Sequence, residues 1–264
     1  MLGPIVPYAT ALMKCPDWPC REVLQTLVSE HDIRNNRGLP LRLVAPASGD
    51  SYEERIDRFG EMQVREHNWH DLFNVLAWLT YPKIKAILNA RHSRERALES
   101  TGSDCMHSKH GRNRSRVRDA LTLFDESGVI VASSDPRCIS DLRGFRWKSL
   151  FWERRAEVDA AMAFYVVGHG LFEKALAPYI GLTGHALIVS VDQEFFMRPR
   201  AQQVAIVDAD IADRIAGSFA SSADLAPLPL LGVPGWWRGN ERESFYDNAL
   251  YFRAGRSRFA AREL

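Results

Sequence analysis

AFYVVGHGLFEKALAPYIGLTGHALIVSV, Ala163 to Val191, holds an apolar run (Ala163 to Val167), a Gly-His-Gly break, a helical stretch stopped at Pro178, and a second apolar run from His185. Strand, helix, strand in that order is the pattern of a βαβ crossover. Upstream, DALTLFDESGVIVASSDP (Asp119 to Pro136) shows two short β-prone runs around Asp125-Glu126-Ser127-Gly128. That pattern predicts a β-hairpin with Gly128 at the left-handed position. WKSLFWERRAEVDAAM (147–162) and DADIADRIAGSF (208–219) predict helices.

Nearer the N-terminus, CREVLQTLVSEHDI (20–33) has helical apolar spacing, NNRGLP breaks it, and PLRLVAP (40–46) predicts a short strand. SGDSYEERIDRF (48–59) is helix-prone. REHNWHDLFNVLAW (65–78) then opens a helix expected from Glu66 to Thr80, because Pro82 disfavours helical geometry just before it. KIKAILNARHSRERALES (83–100) continues as a second helix. The proline-rich ADLAPLPLLGVPGWW (223–237) predicts an irregular segment that wraps the surface, and FYDNALYFR (245–253) a strand or docked tail. The expected fold class is α+β (mixed α/β): a helix-rich single domain, 1–264, around a small mixed sheet with one β-hairpin and one βαβ crossover. Its core runs from about 20 to 253, with an exposed basic loop at 101–117 and an irregular wrapping C-terminal segment at 223–264.

Length and composition agree with that class. The 264 residues suffice for a substantial core, and 46% hydrophobic, 25% charged and 10% aromatic residues are ordinary for a globular chain. A formal net charge of +1 gives no global reason to expect nucleic acid or an anionic membrane as partner. No basic leader precedes the N-terminal apolar residues, and no apolar run approaches the roughly 20 residues that span a bilayer, so a cytoplasmic protein is expected. The cysteines at 15, 20, 105 and 138 form no metal-binding spacing and are read as free thiols.

The chemistry concentrates in two motifs. On a helical wheel His67, His70, Asp71 and Asn74 share a stripe, while Trp69, Leu72, Phe73, Leu76 and Leu79 face the other way. A solvated helix face is normally rich in Lys, Glu and Arg. This one carries His, Asp and Asn and ends near Trp78, a bulky ring that is seldom left exposed, which predicts a cleft-lining face. The second motif is GHGLFEKAL, where His169 follows the strand and Glu173 lies one turn on, with flanking glycines that permit close approach. If the two motifs meet, His67, His70, Asp71, His169 and Glu173 form a mixed His/carboxylate ligand set suited to one divalent transition metal (Zn, Fe or Mn). His70, Asp71 and Asn74 then supply acid–base and orienting groups, and Trp78 and Arg118 bind a small or phosphorylated substrate. The spacing equally permits a metal-free His70–Asp71 acid–base pair, and selects neither.

Other features carry less. Asp125 and Glu126 are explained by a turn, Asp119 is ambiguous, and His185 reads as structural. In HSKHGRNRSRVR the arginines at 112, 114, 116 and 118 alternate, so the stretch 109–118 in an extended chain could grip phosphates. That supports a second hypothesis, a non-catalytic anion- or nucleic-acid-binding module. P-loop, Rossmann and GxSxG signatures are absent from the sequence.

REHNWHDLFNVLAWLTYPKIKAILNARH, RDALTLFDESGVI, VVGHGLFEKALAPYIGLTGHA, ADLAPLPLLGVPGWW and FYDNALYFR together resemble the bacterial domain-of-unknown-function family numbered 3025, across roughly Phe59 to Arg253. The resemblance implies a soluble bacterial protein of one domain. It carries over no activity, fold or catalytic assignment.

Overall fold

The computed structural model describes residues 1–49, 51–101 and 115–255. Helices α1 (Val6–Leu12) and α2 (Arg21–Glu30) lead into two short parallel strands, β1 (Arg42–Val44) and β2 (Glu61–Gln63), which bracket α3 (Tyr52–Phe59). Ser51 starts α3 by accepting the Glu54 N–H, and Gly60, at φ 68°, ends it in the left-handed conformation that glycine adopts without penalty. Next come α4 (Trp69–Thr80) and α5 (Pro82–Thr101). Asn68 caps α4 through the Asp71 N–H, and Pro82 stands at the first position of α5, where its missing N–H costs no hydrogen bond.

The second half contains α6 (Arg116–Ser127), β3 (Gly128–Ser133), α7 (Pro136–Arg143), a short π-helical turn (Ser149–Glu153), α8 (Arg155–Ala161) and β4 (Met162–Val166). These are followed by α9 (His169–Lys174), β5 (Thr183–Ser190), α10 (Arg200–Gly217) and β6 (Ala226–Pro229). The larger sheet has the order β4-β3-β5-β6, with β3 and β5 parallel and both outer pairings antiparallel.

The strands are apolar on both faces because both faces are covered. Val129 and Val131 of β3, with Phe164 and Val166 of β4, join a core shared with Leu72, Phe73 and Leu76 of α4 and Phe172 of α9. The alternate residues Ile130, Ala132, Tyr165 and Leu187 join a second core with Ile84 and Leu88 of α5, Leu121 and Phe124 of α6, and Ile211 of α10. The fold is α+β and helix-rich, as expected. Among the described residues no helix is long and apolar enough to cross a membrane.

Four details differ from expectation. Residues 119–127 are not the first arm of a hairpin but the body of α6: Ala120, Leu121, Phe124 and Ser127 are buried at helical spacing, and only the run after Gly128 is a strand. β4 and β5 do not form a parallel crossover. β3 lies between them, parallel to β5 and antiparallel to β4, so the parallel connection runs from β3 to β5 through everything between. The segment from 223 is less irregular than its prolines suggest. It supplies the edge strand β6 and buries Leu228, Leu230, Leu231 and Val233, while the tail that follows takes the docked form of its two expected forms, through Tyr246, Tyr251 and Phe252. Finally, α4 begins three residues later than expected, at Trp69. Residues 102–114 and 256–264, including most of the expected basic loop, lie outside the described residues.

Candidate functional site

Three helix ends meet beside a polar cavity of about 270 Å³. His70 stands in the first turn of α4, Glu126 in the last turn of α6, and His169 at the start of α9 immediately after β4. α4 and α9 are held together by the Phe73 and Phe172 rings, whose centroids lie 5.8 Å apart. The glycines around His169 explain how α9 reaches α6. A Cβ on Gly168 would stand 2.5–2.6 Å from backbone atoms of Glu126 and Ser127, and one on Gly170 would stand 2.6 Å from Glu126 Oε2.

The result is a tight cluster. The Nε2 atoms of His70 and His169 are 3.0 Å apart, and Glu126 Oε1 lies 3.7 Å from the first and 3.4 Å from the second. Each imidazole is oriented from behind. His169 Nδ1 donates to the Asp125 carbonyl at 2.8 Å, and His70 Nδ1 faces Glu173 Oε2 at 3.1 Å. Carbonyl and carboxylate oxygens only accept here, so both rings place their proton on Nδ1 and turn an Nε2 lone pair toward the other. Two lone pairs and a carboxylate oxygen around one point repel unless a proton or a cation lies between them.

Electrostatics reinforce this. His169 is 3% exposed, and burial, followed by the nearby Lys85 charge, depresses its pKa to about 3, so the ring is neutral. Burial raises the pKa of Glu126, and the adjacent Asp125 charge raises it further. Asp125 behaves oppositely. Burial pushes it up, but the Lys85 charge and the hydrogen bond from Lys85 overcome that and hold it at about 2. The same cavity is lined by Tyr52, Asn74, Trp78, Asn89 and His92. Burial, with the charges of Asp125 and Asp71, keeps the Tyr52 phenol well above its ordinary range, and its oxygen accepts from Asn74 Nδ2 at 2.8 Å.

Of the residues expected to form the site, His70, His169 and Glu173 do meet, with Glu173 on the far side of the His70 ring. His67 does not share their stripe: it precedes the α4 cap, has a φ of 53°, and lies 5.6 Å (ring centroids) from Trp18. Asp71 lines the cavity but its carboxylate is taken by Arg65, which donates from its backbone N–H (2.8 Å), Nε (2.9 Å) and Nη2 (2.8 Å). Burial works against that carboxylate, yet the Arg65 hydrogen bonds depress its pKa below the ordinary value. Asn74 and Trp78 line the cavity as expected. Arg118 does not: it pairs with Glu99 near the start of α6. Arg116 and Arg118 are helical, so they do not take part in the extended alternation expected for the basic stretch. His185 meets Ser127 Oγ at 2.8 Å, a contact between α6 and β5.

Lys85, Asn89 and His92 have no place in the sequence reading, and Glu126 enters it only as a turn residue. A signal existed for three of them: Lys85, Asn89 and His92 recur at offsets of four and seven on one helix, the same kind of stripe that singled out α4.

A family model described as a protein of unknown function (DUF3025) matches residues 41–256. The chain therefore belongs to that family, and the matched region contains the whole cluster. Comparisons with curated proteins and with solved structures give no match.

Proposed function

We propose that the chain is a metal-dependent hydrolase in which His70, His169 and Glu126 hold one divalent transition metal ion beside the polar cavity. The observation that carries this is the triangle of donors. Tetrahedral bonds of about 2.0–2.1 Å put ligand atoms roughly 3.3–3.4 Å apart. The edges of the triangle are 3.0, 3.4 and 3.7 Å. Two imidazoles and one carboxylate are a zinc-type donor set, and acceptors behind both rings are the usual means of aiming imidazoles at an ion.

The ligand set differs from the one read in the sequence. Glu126 replaces His67 and Asp71, and Glu173 becomes the group that orients His70. Three protein ligands would leave a fourth position open, and a bound ion would supply there the Lewis acidity that makes water a nucleophile near neutral pH. A cavity of about 270 Å³ favours a small substrate. With Arg118 directed to Glu99, support for Arg118 as a phosphate-binding residue is gone.

The test is zinc affinity by competition with a chromophoric chelator, together with an ester and amide hydrolysis screen before and after metal stripping. One zinc per chain, lost in His169→Ala and Glu126→Gln, with hydrolysis that chelators abolish, is expected. A wild type that binds none of zinc, iron and manganese refutes the proposal. The 3.0 Å contact between His70 and His169 also fits a proton shared between the rings. Hydrolysis that survives chelators would favour that metal-free acid–base reading.

A further inference from the structure

The cavity behind the cluster narrows the substrate class. Its lining includes four carboxylates, Glu53, Asp71, Asp125 and Glu126, against two cations, Arg65 and Lys85. Both cations are already spent: Lys85 Nζ is paired with Asp125, and Arg65 with Asp71. Outside the lining, the Glu173 carboxylate stands behind His70, and the charge of Lys174, which acts on Glu126, offsets it. A divalent ion in the cluster would bring the formal charge of the lining close to zero, with no unpaired arginine or lysine for a phosphate or carboxylate among the described lining residues.

The polar wall has its own chemistry. Asn74 Oδ1 is buried with no hydrogen-bond partner. Asn74 Nδ2 meets Tyr52 Oη, whose own proton is held by a phenol far from ionisation. In either orientation of the Asn74 amide, the pair keeps a donor and an acceptor in reserve. Buried groups of this kind are satisfied by a ligand or water that presents both.

We propose that the cavity takes a small substrate whose end remote from the metal is uncharged or cationic and carries N–H or O–H groups, such as a carboxamide, amine or alcohol, and that it rejects anionic ends. This rests on the metal reading above. Tyr52 and Asn74 are its specificity-determining residues.

Matched probes test it. Malonic monohydroxamate, its monoamide analogue and glycine hydroxamate share one zinc-binding head and differ at the remote end as anion, neutral amide and cation. Their binding to the full, zinc-loaded chain is measured by calorimetry, with zinc content determined on the same sample. The amide and amine are expected to bind at least tenfold more tightly than the carboxylate. In Tyr52→Phe, with zinc content unchanged, the preference for the amide over the carboxylate should shrink severalfold. Full zinc with the carboxylate bound as tightly as the amide overturns this inference and leaves the metal reading standing. A chain that takes up none of zinc, iron and manganese overturns both. An undiminished preference in Tyr52→Phe removes Tyr52 from the specificity pair.

Discussion

Lys85→Met isolates the buried ion pair that underlies the site. The Lys85 side chain is 4% exposed and its ammonium is paired with Asp125, itself 24% exposed toward the cavity. Removing one partner of a fully buried pair costs about 3–5 kcal/mol, because the remaining charge is stranded. Asp125 keeps some contact with the cavity, which returns part of that cost, so a loss of about 2–3 kcal/mol is expected. Urea denaturation would read this as a midpoint shift of roughly 1 M, for a slope of about 2–3 kcal/mol/M. Combining Lys85→Met with Asp125→Asn should recover part of the loss, with a coupling of at least about 1 kcal/mol. His169 is held by the backbone carbonyl of Asp125 rather than its carboxylate, so the folded variant should still bind zinc. A Lys85→Met stability within about 0.5 kcal/mol of wild type, or strict additivity in the cycle, would refute the reasoning.

Three further outcomes follow from the geometry. Glu173→Ala removes the acceptor behind His70 and should weaken zinc binding by about 10–100-fold with little change in stability; an unchanged affinity would show that the contact orients nothing. Gly168→Ala drives a Cβ into the backbone of Glu126 and Ser127 and should cost about 2–3 kcal/mol in denaturant melts, whereas a neutral effect would mean that α9 is free to shift. Asp208, which accepts the Lys83 and Ile84 N–H groups, has a pKa raised to about 6 by burial despite those hydrogen bonds. A carboxyl whose folded pKa is raised holds its proton more tightly when folded, so its contribution is full below roughly pH 4 and is lost as pH rises through about 6. Asp208→Asn should therefore gain stability relative to wild type between those limits, by about 1–3 kcal/mol, and a difference that stays flat with pH contradicts the assignment.

How much of this was legible in the sequence depends on whether the signal was local. The cleft-facing stripe of α4, the break at Pro82 and the Gly-His-Gly approach rest on spacing and backbone sterics, and His70, His169 and Glu173 were identified from them. Two errors arose where neighbouring signals compete. The Asp-Glu-Ser-Gly run reads as a turn, but it is the last turn of α6, and the burial of Leu121 and Phe124 against α5 and α10 outweighs the turn signal. The turn signal also hides Glu126, which stands in that last helical turn. Periodicity alone puts His67 on the stripe, although Asn68, a preferred cap residue, starts the helix just after it. Asp71 shares the stripe as expected, yet Arg65, six residues earlier, claims its carboxylate through a loop conformation that periodicity does not encode. The partnership of Lys85 with Asp125, forty residues apart, is a product of packing alone.

The central claim is that His70, His169 and Glu126 hold a metal ion, and elemental mass spectrometry of the purified, untagged chain tests it most directly, with His70→Ala prepared in parallel. Near-stoichiometric zinc, iron or manganese in the wild type, lost in a variant that remains folded, is the expected result. A wild type that stays free of metal after loading, or a His70→Ala protein that retains full occupancy, would contradict it.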